Sequence, residues 1–166
     1  AAYENLAGTN QIHRAALALI EPQSFGDYLM MLATDLSDIL AADGMHLCLE
    51  GVGNVAGERL GPEGPLRSTV IGLPMGGVGD YCGPRAMARD TKVILRPVPR
   101  AAHLIYGAAS DEMRTEAVIR IDLGTGRRAA MLVIGSRDAH RFHPEQATDL
   151  LTFFGKVLDA TLRRWL

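Results

Sequence analysis

The stretch Ala129–Phe142, which reads AAMLVIGSRDAHRF, decides the fold of this chain of 166 residues. Its first half is an unbroken apolar run that ends at Ile134, and turn-forming residues follow at once from Gly135. A short apolar run that is closed by turn residues is typical of a strand buried on both faces. We therefore predict that this stretch contains the central strand of a sheet.

The segment directly upstream, Glu116–Leu123, alternates between apolar and polar side chains. Such alternation is typical of a strand with one face on the core. Gly124-Thr125-Gly126 separates this segment from the apolar run, and glycine-rich turns of this kind join antiparallel strands. The two strands are therefore predicted to form a β-hairpin.

Further extended segments are predicted on both sides of this hairpin in the sequence. Ser68–Leu73 and Lys92–Arg96 are short apolar pieces bounded by glycine or proline, and Gly51–Gly64 contains a weak edge strand. Together with Met45–Glu50 they give a central antiparallel sheet of about five or six strands, a usual size. In Met45–Glu50, one face carries Met45, Leu47 and Leu49, and the other carries His46, Cys48 and Glu50.

Three helices are predicted from apolar residues at helical spacing. The first is Tyr3–Ile20, and the second follows Ser24, which together with Asp27 resembles a capping box. The third is predicted to begin at His143-Pro144, since proline is favoured at a first helical position. Residues 1–20 show no start signal, so we expect them to be the end of a longer N-terminal signalling helix.

The fold class predicted from this order of elements is α+β, as a single domain over residues 1–166. The three helices cover one face of the sheet. The segment Gly51–Ala109, broken by glycine and proline, covers the other. The residues predicted to form the core are Leu32, Leu36, Leu47, Ile119, Ile121, Met131, Val133, Leu150, Phe154 and Leu158.

Composition and charge argue against several classes of function. The net charge of −2 is a near cancellation of 17 basic and 19 acidic residues, which gives no footprint for nucleic acid or an anionic membrane. No apolar run is long enough to cross a bilayer and no leader is evident, so we expect a cytoplasmic protein. The pair His140 and His143 lacks further ligands, so neither a metal nor a cofactor is expected.

Three motifs of the chain are shared with a known family: Asn10–Leu17, Tyr81-Cys82-Gly83 and Ile134–Phe142, the last followed by Thr148–Leu151. With these motifs the sequence resembles, over essentially the whole chain, the DUF484 family of bacterial GAF-like proteins. The resemblance implies a GAF-like fold, and members usually carry an additional N-terminal helical segment. The family has no established activity. The Asn-Lys-X-Phe-Asp-Glu pattern of GAF domains that bind cyclic nucleotides is absent, so cyclic GMP is not the expected ligand.

A small-molecule site is predicted on the sheet face opposite the three helices. Met75–Gly83 and Ala101–Ala109 would cover it, and backbone N–H groups around Gly76, Gly77 and Gly83 would be free to hold an anionic or polar group. A cover packed shut by its own side chains fits the same sequence. The predicted ligand-binding residues are His46, Cys48, Met75, Gly76, Gly77, Tyr81, Cys82, Gly83, His103 and Tyr106.

The function predicted from these features is a non-enzymatic sensory or regulatory domain. It would bind an unidentified small molecule and signal through its terminal helices in a homodimer, because the last helix has more apolar surface than one sheet contact needs. One alternative is a ligand-free interaction or dimerisation module. A second is a cysteine-based reductase of free methionine sulfoxide, as some GAF-fold proteins are. That chemistry needs an accessible low-pKa thiolate, whereas Cys48 is expected to be buried.

Overall fold

The computed structural model describes residues 2–64 and 66–166, with side chains from residue 8 onward. Its framework is a sheet of six strands in the order β2-β3-β1-β6-β5-β4. The mixed α+β architecture predicted from the sequence is confirmed, and the sheet is mostly antiparallel. The strands are β1 Gly44–Glu50, β2 Glu58–Arg59, β3 Val70–Leu73, β4 Val93–Pro97, β5 Thr115–Ile121 and β6 Ala130–Ser136.

Strand β6 lies at the centre of the sheet, between β1 and β5. It pairs antiparallel with both, and every one of its residues is buried. In the hairpin with β5, Val118 lies opposite Val133. The central strand and the hairpin predicted from Ala129–Phe142 are thus both present.

One strand pair departs from the antiparallel pattern predicted for the sheet, since β1 and β3 run parallel. The chain leaves β1 at Gly51 and forms the two-residue edge strand β2, which pairs antiparallel with β3. Strand β2 lies at the edge of the sheet, beside β3. The chain therefore runs along β2 in the direction opposite to β3, turns, and then runs along β3 in the same direction as β1. Local alternation does not encode this crossover.

The helices divide into a group of long ones and a group of short ones. A π-helical turn, Leu32–Leu36, joins α2 to α3 without a break, and the predicted Ser24 cap is confirmed, because its hydroxyl accepts from the backbone N–H of Asp27 at 3.1 Å. The helices are α1 Ala2–Ile20, α2 Phe25–Met31, α3 Ser37–Ile39, α4 Gly77–Cys82, α5 Pro84–Ala88, α6 His103–Tyr106 and α7 Asp149–Arg163, with 3₁₀ turns at Arg100–Ala102 and Gly107–Glu112.

The start predicted for the last helix is wrong, because α7 begins at Asp149 and not at Pro144. The residues before it form a turn in which the N–H of His143 donates to the side-chain oxygen of Gln146 at 3.0 Å. Leu150 therefore falls in the first turn of α7 and is 37% exposed. It does not belong to the core, although the other predicted core residues are all buried.

Two apolar cores lie on the two faces of the sheet. We call α1, α7 and the continuous segment of α2, the π-helical turn and α3 the helical layer, and α4, α5, α6 and the two 3₁₀ turns the roof. On β1, Met45, Leu47 and Leu49 pack into the core of the helical layer, whereas Cys48 packs under the roof, as the alternation predicts. The roof core contains Cys48, Ile71, Leu73, Val78, Tyr81, Cys82, Ala102, Ile105, Tyr106, Met113, Val118, Met131 and Val133.

Candidate functional site

The candidate site is the interface between the roof and the sheet, where Glu116 of β5 lies fully buried. One carboxylate oxygen of Glu116 accepts hydrogen bonds from the hydroxyls of Tyr81 and Tyr106, each at 2.7 Å. The other oxygen accepts from Nε of Arg96 at 2.9 Å. One buried carboxylate therefore holds α4 and α6 of the roof to strands β4 and β5.

Arg96 extends this network to the end of α4. Its Nη atoms donate to the backbone carbonyls of Tyr81 at 2.8 Å and of Cys82 at 3.3 Å. Its guanidinium carbon lies 4.9 Å from the centre of the Tyr81 ring, within cation–π range. Ion pairing, hydrogen bonding and ring contact thus fix the position of α4, and the carboxylate has a compensating cation at its low-dielectric site.

The two tyrosines under the roof are strong phenolic donors that do not ionise near neutral pH. Burial raises the pKa of Tyr81 and of Tyr106, and the negative charge of Glu116 raises both further. Each hydroxyl therefore keeps its proton and donates it to the carboxylate. The site offers no phenolate that could act as a base or nucleophile.

Tyr106 fits against the sheet because the strands beneath its ring carry glycine. A Cβ at Gly135 would lie 2.6 Å from Cε1 of Tyr106, and one at Gly44 would lie 3.1 Å from the same atom. A contact of 2.6 Å does not occur between real side chains, so the close approach of the ring requires Gly135, whereas a Cβ at Gly44 would force the ring to shift by a few tenths of an ångström. The space predicted to hold a ligand is occupied here by the Tyr106 side chain.

His46 lies on β1 beside this ring, with the two ring centres 5.4 Å apart and an edge-on geometry. Its Nδ1 is 2.5 Å from the carbonyl oxygen of Ser68, to which it donates. Burial lowers the pKa of His46 to about 4, against the smaller opposing effect of this hydrogen bond. The imidazole is therefore neutral at physiological pH, with Nε2 as an acceptor.

Both cysteines lie in the roof core as free thiols. Cys48 is completely buried, and burial raises its pKa. Cys82 is also buried, and burial raises its pKa to about 11. Both thiols are therefore protonated near neutral pH, which is the opposite of the environment that activates a nucleophilic cysteine.

The structure brings five of the predicted ligand-binding residues into contact with the roof core and leaves the others at its border. His46, Cys48, Tyr81, Cys82 and Tyr106 lie together under the roof. Among the other predicted positions, Met75, Gly76 and His103 are exposed. Gly77 is buried at the start of α4, and Gly83 is half-buried at its end.

The prediction that backbone N–H groups are free to hold a ligand is wrong for Gly77 and Gly83. The N–H of Gly77 donates to the carbonyl of Pro74 at 2.8 Å, and that of Gly83 donates to the carbonyl of Gly79 at 2.9 Å. Because the roof chain is folded into short helices, these donors close helical turns. They are not free to hold a ligand anion.

The chain matches, over residues 1–166, the family model described as "Protein of unknown function, DUF484". It belongs to the DUF484 family. The resemblance inferred from the sequence motifs is thereby confirmed. No curated protein matches the chain.

Two residues central to the roof of this DUF484 chain, Arg96 and Glu116, were not predicted as site residues. They lie directly opposite each other in the pairing of β4 with β5. Both are charged residues at roof-facing positions of otherwise apolar strands, and that is the signal that could have identified them. Glu50 is a third case, since its carboxylate accepts from the backbone N–H of Val78 at 2.8 Å and so fixes the start of α4.

A cavity of about 600 Å³ lies on the opposite side of the sheet, within the helical layer. It opens between the first half of α1 and the start of α7, and Ile12, Phe142 and Leu150 supply much of its apolar lining. Arg141 lies at its wall, with its guanidinium donating to the carbonyls of Leu40 and Ala41. These hydrogen bonds of Arg141 hold the end of the α2–α3 segment.

Neither a metal site nor a membrane-spanning helix is evident in the part of the chain that the structure describes. Among residues 2–64 and 66–166, no group of three or more His, Cys, Asp or Glu side chains is arranged to hold a metal ion. Within the same ranges, no helix has both the length and the apolar character needed to cross a bilayer.

Proposed function

We propose that this DUF484 domain is a non-enzymatic regulatory module that self-associates through α1 and α7. The observation that carries the proposal is the exposure of large apolar side chains on these two helices. Leu17 and Ile20 of α1 are 60% and 53% exposed, and Phe153 of α7 is 47% exposed. Exposed apolar side chains that form one patch typically mark a protein–protein contact.

The two helices run in the same direction along the helical layer. A Cβ at Gly8, in the first half of α1, would lie 3.7 Å from the side chain of Leu150, at the start of α7. At the other end, the hydroxyl of Tyr28, shortly after α1 ends, lies 2.8 Å from the hydroxyl of Thr161. The apolar residues of α1 and those of α7 therefore lie at opposite ends of the pair.

A second copy of the chain fits this arrangement when it packs in the antiparallel direction. Leu17 and Ile20 of one copy then lie against Leu150 and Phe153 of the other, and the two-fold axis repeats the contact. In the same antiparallel orientation, the charges at the ends of α7 are complementary to those of the other copy. Asp149 is exposed in the first turn of α7 and Arg163 in its last, so each acidic end faces a basic end.

The test is light scattering combined with sedimentation equilibrium at tens of micromolar protein, an ordinary range for weak dimers. Wild type is expected to be dimeric, whereas the double variant Leu17→Glu/Phe153→Glu is expected to dissociate with a Kd raised by about tenfold or more, since each change buries a charge in the contact. The control is Val55→Glu/Met75→Glu, which alters two side chains that are each 69% exposed elsewhere. A monomeric wild type, or equal dissociation of the control, would refute self-association.

A small-molecule sensor is the second candidate, and the Glu116 network favours it. Buried ion pairs stabilise less than apolar packing of the same volume, and such groups are often retained at functional sites. A ligand would take the place of the Tyr106 side chain under the roof and release α6.

Thermal-shift screening of nucleotides, amino acids and their oxidised forms tests the sensor proposal, because a tight ligand at saturating excess stabilises the folded protein by about 2–4 kcal/mol. If no ligand in such a screen shifts the melting curve, the sensor proposal fails.

The reductase alternative has the least support. It requires a thiolate that reaches solvent, whereas both cysteines are buried with raised pKa values. We place the domain in the cytoplasm, the compartment that suits two reduced thiols. Rapid reaction of Cys82 with a thiol reagent in the native protein would revive the enzymatic alternative.

A further inference from the structure

A groove of about 430 Å³ lies where α7 passes the end of the β5–β6 hairpin and the turn before β4. It lies at the end of the sheet where β5 finishes and β6 begins. Neither the predicted roof site nor the cavity beside Arg141 includes it. Its charged and polar lining includes Lys92, Arg120, Arg127, Arg128, Thr152 and Lys156.

The acidic side chains that line the groove all have cationic partners. Asp159 holds Nζ of Lys92 with both oxygens, at 2.7 and 2.6 Å. Asp90 accepts from Arg120 at 2.9 Å. Asp122 lies 3.2 Å from a guanidinium nitrogen of Arg163, outside the groove lining.

Three cations at the same groove have no Asp or Glu partner in the part of the chain that the structure describes. Lys156 forms no ion pair there. Arg127 donates through Nη1 to the main-chain oxygen of Leu166 at 2.6 Å, and Arg128 donates through Nη1 to that of Gly51 at 2.9 Å. Each guanidinium is thus oriented through one nitrogen, while its remaining N–H groups have no acceptor among the residues that the structure describes.

The two arginines directly follow the hairpin turn in the chain, and both line the groove. Gly124 and Gly126 have φ values of 110° and 76°, in the region that favours glycine. The N–H of Gly124 also donates to Asp122 at 2.9 Å, which closes the turn. The arginines therefore project from a turn whose conformation is fixed by its own backbone.

We propose that this groove binds a small soluble molecule that carries phosphate groups. Guanidinium forks bind phosphate through paired N–H donors, and an ammonium adds a further point charge. A volume of about 430 Å³ matches a small ligand. A nucleic acid would require a longer basic surface, whereas the net charge of the chain is −2.

The test uses inorganic pyrophosphate as the probe, in isothermal titration calorimetry at constant ionic strength. Wild type is expected to bind, and Arg127→Ala/Arg128→Ala is expected to weaken the affinity at least about tenfold, since two charge-assisted contacts are lost. The control is Arg85→Ala/Arg100→Ala, which removes the same charge from two exposed side chains elsewhere. The control is expected to bind like wild type.

Two results would overturn the proposal. One is the absence of pyrophosphate binding at millimolar concentration. The other is an equal loss of affinity in the two double variants, which would indicate general attraction to surface charge. Binding is measured independently of oligomeric state, so failure here leaves the proposed self-association untouched, and the reverse also holds.

Discussion

The two faces of the sheet are built from alternate residues of the same strands, yet they are covered in different ways. The helical layer covers its face with long helices, whose buried side chains include Leu19, Leu32 and Phe154. The roof covers the other with helices of four to six residues, held by the charged pair of Arg96 and Glu116. Short helices cannot present a continuous apolar stripe, so directional polar contacts fix their positions.

This difference predicts which substitutions will destabilise each face of the sheet. Removing one partner of a buried, hydrogen-bonded ion pair leaves the other without compensation, whereas apolar contacts in a large core are distributed over many neighbours. The roof should therefore depend on a few polar atoms. The helical layer should instead lose stability in proportion to the volume removed.

The largest effect is expected for Glu116→Ala. This change leaves Nε of Arg96 and the hydroxyls of Tyr81 and Tyr106 without their acceptor and the guanidinium without its counter-charge, and it should lower the free energy of unfolding by about 3–5 kcal/mol. Urea denaturation measures it. Glu116→Gln keeps the volume and one acceptor oxygen, so it should lose less than the alanine variant.

A loss below about 1 kcal/mol in Glu116→Ala would show that the roof does not depend on this carboxylate, since that is the net worth of an ordinary neutral hydrogen bond. The double variant Glu116→Gln/Arg96→Met provides a further check. It removes the buried charge from both partners. It should therefore recover part of the stability that Glu116→Ala loses.

A pH-dependent loss of stability is expected from His46. Its pKa is about 4 in the folded protein and 6.5 when unperturbed, so the unfolded state binds more protons between these values. His46 therefore contributes fully to the free energy of unfolding above pH 6.5. This contribution, up to roughly 3 kcal/mol, is lost as the pH falls towards 4.

The measurement is chemical denaturation of wild type and His46→Gln across this pH range. The variant should show a shallower fall in stability with acid, because glutamine does not titrate. Parallel curves for the two proteins would contradict a buried neutral imidazole at this position.

A smaller effect, about 1–3 kcal/mol, is expected for Gly135→Ala. The added Cβ would meet the Tyr106 ring at 2.6 Å, and the ring cannot retreat while its hydroxyl is held by Glu116. The matched control is Gly79→Ala in α4, where the nearest atom is the flexible end of Met87 at 3.6 Å. Thermal denaturation compares the two, and equal melting temperatures would show that the roof is not tightly fixed.

The sequence predicted which residues lie on the roof side of the candidate site, but it did not predict the hydrogen bonds that connect them. The alternation in Met45–Glu50 correctly placed His46 and Cys48 on the roof side, and the aromatic residues Tyr81 and Tyr106 were assigned to the cover. Their use as ligand contacts remains a prediction. The convergence of both hydroxyls on Glu116 was missed, because Tyr81 and Glu116 are 35 residues apart.

The sequence by itself determined which segments are strands and which side chains share a face, because these properties depend on spacings of a few residues. It also determined the central position of Ala130–Ser136, since a strand apolar on both faces must be covered on both. Only the tertiary structure decided the parallel pairing of β1 with β3, the late start of α7 and the closure of the roof by Arg96 and Glu116. These features depend on contacts between residues distant in the chain, and a local pattern does not specify which distant partners meet.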